Sequence, residues 1–539
     1  MFDRLARAVG LSAVPQIFFV SATLAVLFVA FAIPFREAFA LFFGAIGSFT
    51  FTYFGWFYVL SVTGLLGFLL WVACSRYGNL RLGPDDCSPD YATVTWFAML
   101  FAAGVGTVLM FWGVAEPLSH YANPPLVNVS GGSLDAAKLS MTIALYHFGL
   151  HTWTIFTLPA LAIGYFSYRQ GLPMRISSVF YTVLGDRIYG PIGWTIDIVA
   201  LLGTLFGVAV SMGLGSLQLN SGLNYLVGLP NTAGWQIALV AMVTVIATVS
   251  VALGLDRGIK RLSEFNILAA LLVLLFVWVA GPTLFITSGT VQVFGAYLHN
   301  LTWMAFWTEA FQGTHWQQSW TVFYWAWTIS WAPYAGIFIA RISRGRTIRQ
   351  FVLGALGAPL LFTLIWFSGF GLSALDLELN QGAELTRQVQ EDVSVALFTF
   401  LDHFPLAHLL SALSIVVIVV FLTTSADSAA LVMDMLSRRE GQASRTGQRV
   451  FWTLLMGTVA GTLLLGGGLR ALQNVITALG FPFCLLLVFM AVALTRALHA
   501  DYLGYSMQDL AAGRTPPIDP MGSLPHQAKN RRRPPADKH

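Results

Sequence analysis

Residues 324–334 read YWAWTISWAPY, five aromatic residues in eleven and no charge. Tyr324, Trp327, Trp331 and Tyr334 stand at i, i+3, i+7 and i+10, which is one face of an α-helix, while Trp325 points elsewhere. Pro333 and the nearby Gly336 disfavour a regular helix there. Tryptophan in membrane proteins gathers at the two water interfaces. Here the tryptophans fall a third to half way along an apolar segment, 317–341, so an interfacial belt fits poorly. A face of Trp and Tyr presents negative quadrupoles, and its preferred guest is a cation that donates no hydrogen bonds, chiefly a quaternary ammonium. With no carboxylate in the stretch to pair small cations or protonated amines, a methylated onium head is favoured. The competing reading is bulky helix packing.

The rest of the chain makes that segment a membrane span. Of 539 residues, 56% are hydrophobic and 10% charged, against roughly 25% charged in a soluble domain. A net charge of +4 says little about partners, and no nucleic-acid partner is expected. Cys74, Cys87 and Cys484 show no metal-ligand or disulfide pattern. Apolar segments occur at 15–35, 47–75, 92–116, 139–167, 190–222, 235–255, 262–288, 317–341, 350–375, 407–436, 450–469 and 472–497. The first follows Arg4 and Arg7 but is longer than a signal-peptide core, so it reads as a transmembrane helix.

Charge distribution supports twelve spans. With a cytoplasmic N-terminus, 25 of the 29 Lys and Arg residues fall in inner segments, and only Arg36, Lys138, Arg387 and Arg470 fall outside. One missed or invented span would swap every later loop. Both termini are therefore expected to be cytoplasmic. Residues 289–312 carry no Lys or Arg and read as an outer amphipathic helix along the membrane surface. The tail from about Ala500 is polar, with Arg531, Arg532 and Arg533 placed for anionic lipid or simply for topology.

A second segment breaks helix rules. Residues 101–113 read FAAGVGTVLMFWG, with Gly104 and Gly106 close together. It belongs to the third span and the aromatic stripe to the eighth, five spans later. An odd offset makes a five-helix repeat inverted, and interrupted helices at matching positions of inverted repeats point to a transporter's midplane site. Small residues for close helix packing are the bland alternative.

Two further clusters carry chemistry. The fourth span holds YHFGLHTWTIF, residues 146–156, in which Phe148, Trp153 and Phe156 can face the first stripe. His147 and His151, at i and i+4, are candidate proton carriers or neutral packing residues. No third ligand stands at useful spacing, so a zinc site is not expected. The tenth span ends in FLTTSADS, residues 421–428, whose hydroxyls and carboxylate suit a small hard cation, with sodium the natural candidate.

At this point the chain resembles the betaine/choline/carnitine transporters over nearly all of its membrane portion. The strongest stretch is FYWAWTISWAPYAGIFIARISRGRTIRQF, 323–351, supported by FAAGVGTVLMFWGVAEPLSHY, LFGVAVSMGLGSLQLNSGL and FLTTSADSAAL. The resemblance implies an all-α polytopic membrane protein of 12 transmembrane helices, a leucine-transporter-like 5+5 inverted repeat preceded by two extra helices. The expected division is an N-terminal arm 1–14, two peripheral helices 15–91, a first repeat 92–288, an interfacial helix 289–316, a second repeat 317–499 and a tail 500–539. It further implies a homotrimer in a bacterial inner membrane, in contact with lipid, importing an onium substrate with no cofactor besides a coupling ion.

By position, Trp153, Trp327 and Trp331 match box tryptophans, with Trp325 just outside on the access path. Phe148, Phe156, Tyr324, Thr328, Gly104 and Gly106 complete the expected substrate site. Phe421, Thr424 and Ser425 match a sodium site, with backbone help from Ala102 and Val105. The fifth span lacks the arginine by which sodium-independent exchangers of the family replace the ion. Departures are Thr328 after Trp327, Phe148 and Phe156 where the betaine type has Trp and Tyr, Val108 for a third glycine, and Val208 for a threonine linked to a second sodium position, although Thr204 is retained. These departures leave a smaller, less polar box and keep choline, carnitine and dimethylsulfoniopropionate open beside betaine. The alternative is a proton-coupled choline-type symporter. A channel would need a wet polar path, and an intramembrane enzyme would need a nucleophile with its base.

Overall fold

The computed structural model describes residues 13–104, 106–253, 256–439 and 442–505. The expectations placed on Val105, on the N-terminal arm and on the arginine-rich tail fall outside these residues. The described residues are nearly all helical, with two isolated β-bridges and no strand. In chain order the main helices are α1 (Pro15–Ala32), α2 (Arg36–Cys74), α3 (Thr93–Gly104), α4 (Thr107–Ala122), α5 (Leu134–Phe148) and α6 (Leu150–Gly164). They continue as α7 (Pro191–Val227), α8 (Ala233–Leu253), α9 (Asp256–Ala280), α10 (Thr283–Phe306), α11 (Phe323–Arg341) and α12 (Ile348–Phe367). The last four are α13 (Ser373–Gln381), α14 (Ala407–Ser437), α15 (Thr446–Leu465) and α16 (Gly468–Tyr502).

Among the described residues, nine helical stretches are long and apolar enough to cross a membrane. These are α1, α2, α7, α8, α9 from Arg261, α12 running on into α13, α14, α15 and α16. The three expected spans missing from that set are α3 with α4, α5 with α6, and α11. The first two are each cut into pieces of 16 residues or fewer. The third is diluted by its aromatic and hydroxyl residues. The segments that fail the length-and-hydropathy test supply the three tryptophans that line the cavity.

The expected break in the third span is present, since α3 ends at Gly104 and α4 starts at Thr107. The fourth span holds an additional break at Gly149 (φ −93°, ψ −133°). Backbone groups freed inside a membrane need partners, and side chains supply them. The Thr363 hydroxyl donates to the Phe148 carbonyl (3.2 Å), the Thr152 hydroxyl to the His147 carbonyl, and the Leu150 N–H donates to the Tyr297 hydroxyl (3.2 Å).

The eighth span corrects the sequence reading. Helix α11 is unbroken through Pro333, and its irregularity is a π-helical turn at Gln318–Val322 just before it. Proline removes one helical hydrogen bond, and tight packing keeps the helix whole. An added Cβ on Gly336 would lie 3.0 Å from Pro159 of α6, and one on Gly480 of α16 would lie 2.7 Å from the Ala326 carbonyl. The seventh span is also shorter than expected. It ends at Ala280, because Gly281 and Pro282 interrupt it, and α10 then starts at Thr283 rather than near residue 289.

One end of the bundle is tied by arginines. Arg169 pairs with Asp501 and Asp85 (the latter at 2.6 Å), Arg449 with Asp427 (3.1 Å) and Arg438 with Asp434 (3.4 Å). Arg346 donates to the Tyr91 carbonyl and lies 4.0 Å from the centre of the Trp96 ring. These contacts fix the helix ends on the side where the inter-helix segments are basic.

Candidate functional site

A cavity of about 620 Å³ lies between α3, α4, α5, α6, α9, α11, α12 and α14. Helix α11 supplies Tyr324, Trp327, Thr328, Trp331 and Tyr334, so the helical spacing read in YWAWTISWAPY does present one face to a cavity. Phe148, Trp153 and Phe156 line it from the two halves of the fourth span, and Gly106 from the break before α4. Phe421, Thr424 and Ser425 line it from α14.

The aromatic walls are held by defined contacts. Tyr324 packs on Phe148 at 5.0 Å, Trp153 on Phe156 at 5.7 Å and Trp331 on Tyr334 at 5.4 Å, all near edge-to-face. The Trp327 indole N–H donates to the Gly207 carbonyl at 3.3 Å. Gly207 has a second duty: a Cβ there would sit 2.8 Å from the Trp331 ring. Glycine at 207 thus lets α11 close on α7 and leaves both tryptophans room.

Some expected residues fall elsewhere. Trp325 does not line the cavity; it is fully buried and stacks on His151 at 5.7 Å, with Tyr146 at 5.3 Å. Its place one residue after Tyr324 turns it to the opposite side of α11. Gly104 closes α3, and Ala102 lies within it. The hydroxyl cluster on α14 divides. Thr424, Ser425 and Ser428 line the cavity, whereas Asp427 pairs with Arg449 and Thr423 bonds the Val419 carbonyl. The Thr424 hydroxyl donates to the carbonyls of Val420 (2.9 Å) and Phe421 (3.2 Å), which leaves its lone pairs available to a cation.

The sequence reading missed the contribution of α9. Ser263, Glu264 and Asn266 line the cavity toward its arginine-tied end, with Glu264 exposed and Asn266 buried. Both polar atoms of the Asn266 amide, and the Trp331 indole N–H, are buried without a protein partner. A polar residue inside an apolar span was the available signal.

It also missed a cluster beside the cavity. Zinc was set aside because His147 has no third ligand nearby in sequence, but α4 brings Glu116 and His120 to it. One possible ligand atom from each of the three residues lies within 4.8 Å of the others, and all three side chains are fully buried.

Comparison with known proteins agrees with this architecture. The family model described as "BCCT, betaine/carnitine/choline family transporter" matches residues 16–503. The chain belongs to that family. It is 44% identical over 498 residues to an ectoine/glycine betaine/proline transporter of Corynebacterium glutamicum, covering 91% of this chain and 81% of that one. It is 42% identical to a glycine betaine transporter of Acinetobacter baylyi, over 93% and 76%. A high-affinity choline transport protein of Escherichia coli is 39% identical, over 90% and 72%. Members of the betaine/carnitine/choline family are transporters, which sets aside the enzyme reading, and this chain is a multi-pass membrane protein.

The glycine at the first break now has a testable role in such a transporter. Gly106 has extended backbone (φ −138°) that any residue adopts, and a Cβ there would meet no atom within 4 Å. Gly106→Leu should therefore fold, with a melting temperature in detergent close to wild type. It should cut uptake about tenfold or more, because a side chain in the open space at Gly106 takes up room in the cavity that Gly106 lines, and about 1.4 kcal/mol of lost substrate binding is tenfold. Labelled-substrate uptake beside the melting curve checks both halves.

Proposed function

We propose that this transporter imports a compound with a quaternary-ammonium or related onium head by alternating access, coupled to sodium. The observation that carries the reading is the cavity walled by Trp153, Trp327, Trp331, Tyr324, Phe148 and Phe156. Aromatic faces attract a methylated cation without binding its hydration shell, at about 2 kcal/mol or more when desolvated. The head sits among the three tryptophans. The Asn266 amide and the Trp331 indole N–H, buried and without a protein partner, hydrogen-bond the polar end of the molecule, a carboxylate or a hydroxyl. Thr328, directly after Trp327, is the residue of the stripe that sets which onium head is taken.

Sodium binds at Thr424 and Ser425, with carbonyl ligands from Phe421 and from Ala102 and Val105 of the third span, and so holds the third and tenth spans together. The nine long helices, with the three interrupted or aromatic spans, make twelve, arranged as two inverted five-helix repeats after two extra helices. The arginine-tied end faces the cytoplasm of a bacterial cell, and three copies associate in its inner membrane. The relatives named for betaine, proline and choline support the substrate class.

Uptake of labelled betaine, choline, carnitine and dimethylsulfoniopropionate into proteoliposomes, with and without a sodium gradient, tests the proposal. Saturable, sodium-driven accumulation of at least one is expected. Accumulation driven by a proton gradient alone would replace sodium with the proton as the coupling ion. No uptake of any onium compound would overturn the reading.

A further inference from the structure

The sodium site and the aromatic cavity leave one buried group of ionisable residues unused. Glu116 and His120 lie one turn apart on α4, and His147 comes from α5. Glu116 Oε1 is 2.5 Å from Nδ1 of His147 and 3.1 Å from Nε2 of His120. The other nitrogen of His147 is 2.9 Å from the Thr321 hydroxyl, on the π-helical turn that precedes α11. The three side chains have no exposure, and no lysine or arginine pairs with them among the described residues.

The spacing selects the guest. Two ligands of a tetrahedral zinc ion stand about 3.3 Å apart, given metal–ligand bonds of about 2.0 Å. A separation of 2.5 Å has room for a shared hydrogen and none for such an ion. With both rings neutral, each imidazole donates to Oε1, which sets its tautomer, and His147 accepts from Thr321. An ionised Glu116 would leave a net charge of −1 in a dry interior, which is strongly unfavourable without a cation. One added proton on Oε2 removes it. Oε2 is buried without an aligned partner, and the Glu116 carboxyl lies beside the hydroxyl of Tyr324.

The cluster is interleaved with the aromatic residues next to the cavity. The His120 ring lies 4.4 Å from Trp320 and 5.1 Å from Trp316, and the His147 ring lies 4.8 Å from Tyr324. Tyr324 itself lines the cavity. Other titratable groups near the cluster are Tyr146 and His151, packed on Trp325 behind His147. Charged groups on neighbouring elements have their own partners. Asp376 accepts from Asn380 and Gln381, Glu378 accepts from the Thr386 N–H, Arg387 pairs with Glu384, Asp392 accepts from Ser394, and Glu309 accepts from Gln317.

We propose that Glu116, His120 and His147 form a proton-binding site that holds one proton while Trp316, Trp320 and Tyr324 are packed over it and releases it when that packing opens to water. The inference rests on the transport reading for its consequence, since the proton then biases which side of the cavity is open. Raising the pH favours the opened state, and lowering it favours the packed one.

Glu116→Gln tests this, because glutamine copies the shape and neutrality of the protonated acid. Two measurements on the full-length protein are compared from pH 5.5 to 8.5: substrate exchange in proteoliposomes, and the melting temperature in detergent. The wild-type exchange rate should change with pH by up to about tenfold per unit, the limit for one linked proton, while the variant stays flat. The wild type should melt with the variant at low pH and below it at high pH, because a proton bound only in the packed state is lost as pH rises. Identical pH profiles for the two proteins overturn the inference. So does one zinc ion per chain in the purified wild type that is lost in His120→Ala, which would assign the cluster to a divalent metal. If no onium compound exchanges at all, the transport reading falls, and the melting comparison still decides the proton site.

Discussion

Trp331→Leu will abolish most uptake while the protein still reaches the membrane. The ring is half-buried, with its indole N–H unpartnered and one edge against Gly207. Leucine keeps an apolar side chain in the wall but removes the quadrupole. Losing about 2 kcal/mol of desolvated cation–π attraction lowers uptake about 30-fold or more. Stability falls less than for a Trp deep in the core, where truncation costs about 3–5 kcal/mol, because part of the ring borders open space. Trp331→Phe should recover part of the activity. Uptake kinetics with surface quantification decide it, and normal uptake in Trp331→Leu would remove the aromatic box from the mechanism.

The second large effect concerns the ion. Thr424→Ala combined with Ser425→Ala removes two cavity-lining hydroxyls and should leave the fold intact. The Thr424 hydroxyl bonds only its own helix, and alanine has the higher helix propensity. Each lost contact with a charged ion is worth about 1.5 kcal/mol or more, so the sodium concentration for half-maximal uptake should rise about 100-fold. Uptake in the double variant that follows sodium as the wild type does would exclude this site. Asp427, though in the same run of sequence, should matter differently. It is joined to Arg449 and does not line the cavity.

The parts legible in sequence were those with a local signature. Apolar length and the basic bias of alternate segments gave the membrane class, and a helical spacing of aromatics gave the α11 wall. Gly104 and Gly106 gave the first break because two glycines within three residues are a strong local signal. Gly149 was not legible, since a single glycine in an apolar run looks like ordinary packing. What opens the helix there is the convergence of Thr363 and Tyr297, more than a hundred residues away. Pro333 failed in the opposite sense: its local cost was read correctly, but packing against α6 and α16 keeps α11 continuous. The Glu116–His120–His147 cluster was hidden for a similar reason, with 31 residues separating Glu116 from His147. Trp325, expected just outside the box, stands outside the cavity lining and packs on His151.

The interrupted helices have a consequence for how the chain is made. Translocation machinery accepts a segment by its summed apolarity, with Leu, Ile, Phe and Val each favourable by about 0.3–0.6 kcal/mol at the helix centre. Helices α2, α7, α14 and α16 meet that test unaided. The α5–α6 pair frees backbone polar groups at its break. One of them, the Leu150 N–H, bonds Tyr297 of α10, and another, the Phe148 carbonyl, bonds Thr363 of α12. The pair's final depth in the bilayer therefore waits on helices synthesised much later. The α5–α6 break is completed only after α12 is made, and slowing synthesis before α12 leaves the Phe148 carbonyl without the Thr363 hydroxyl.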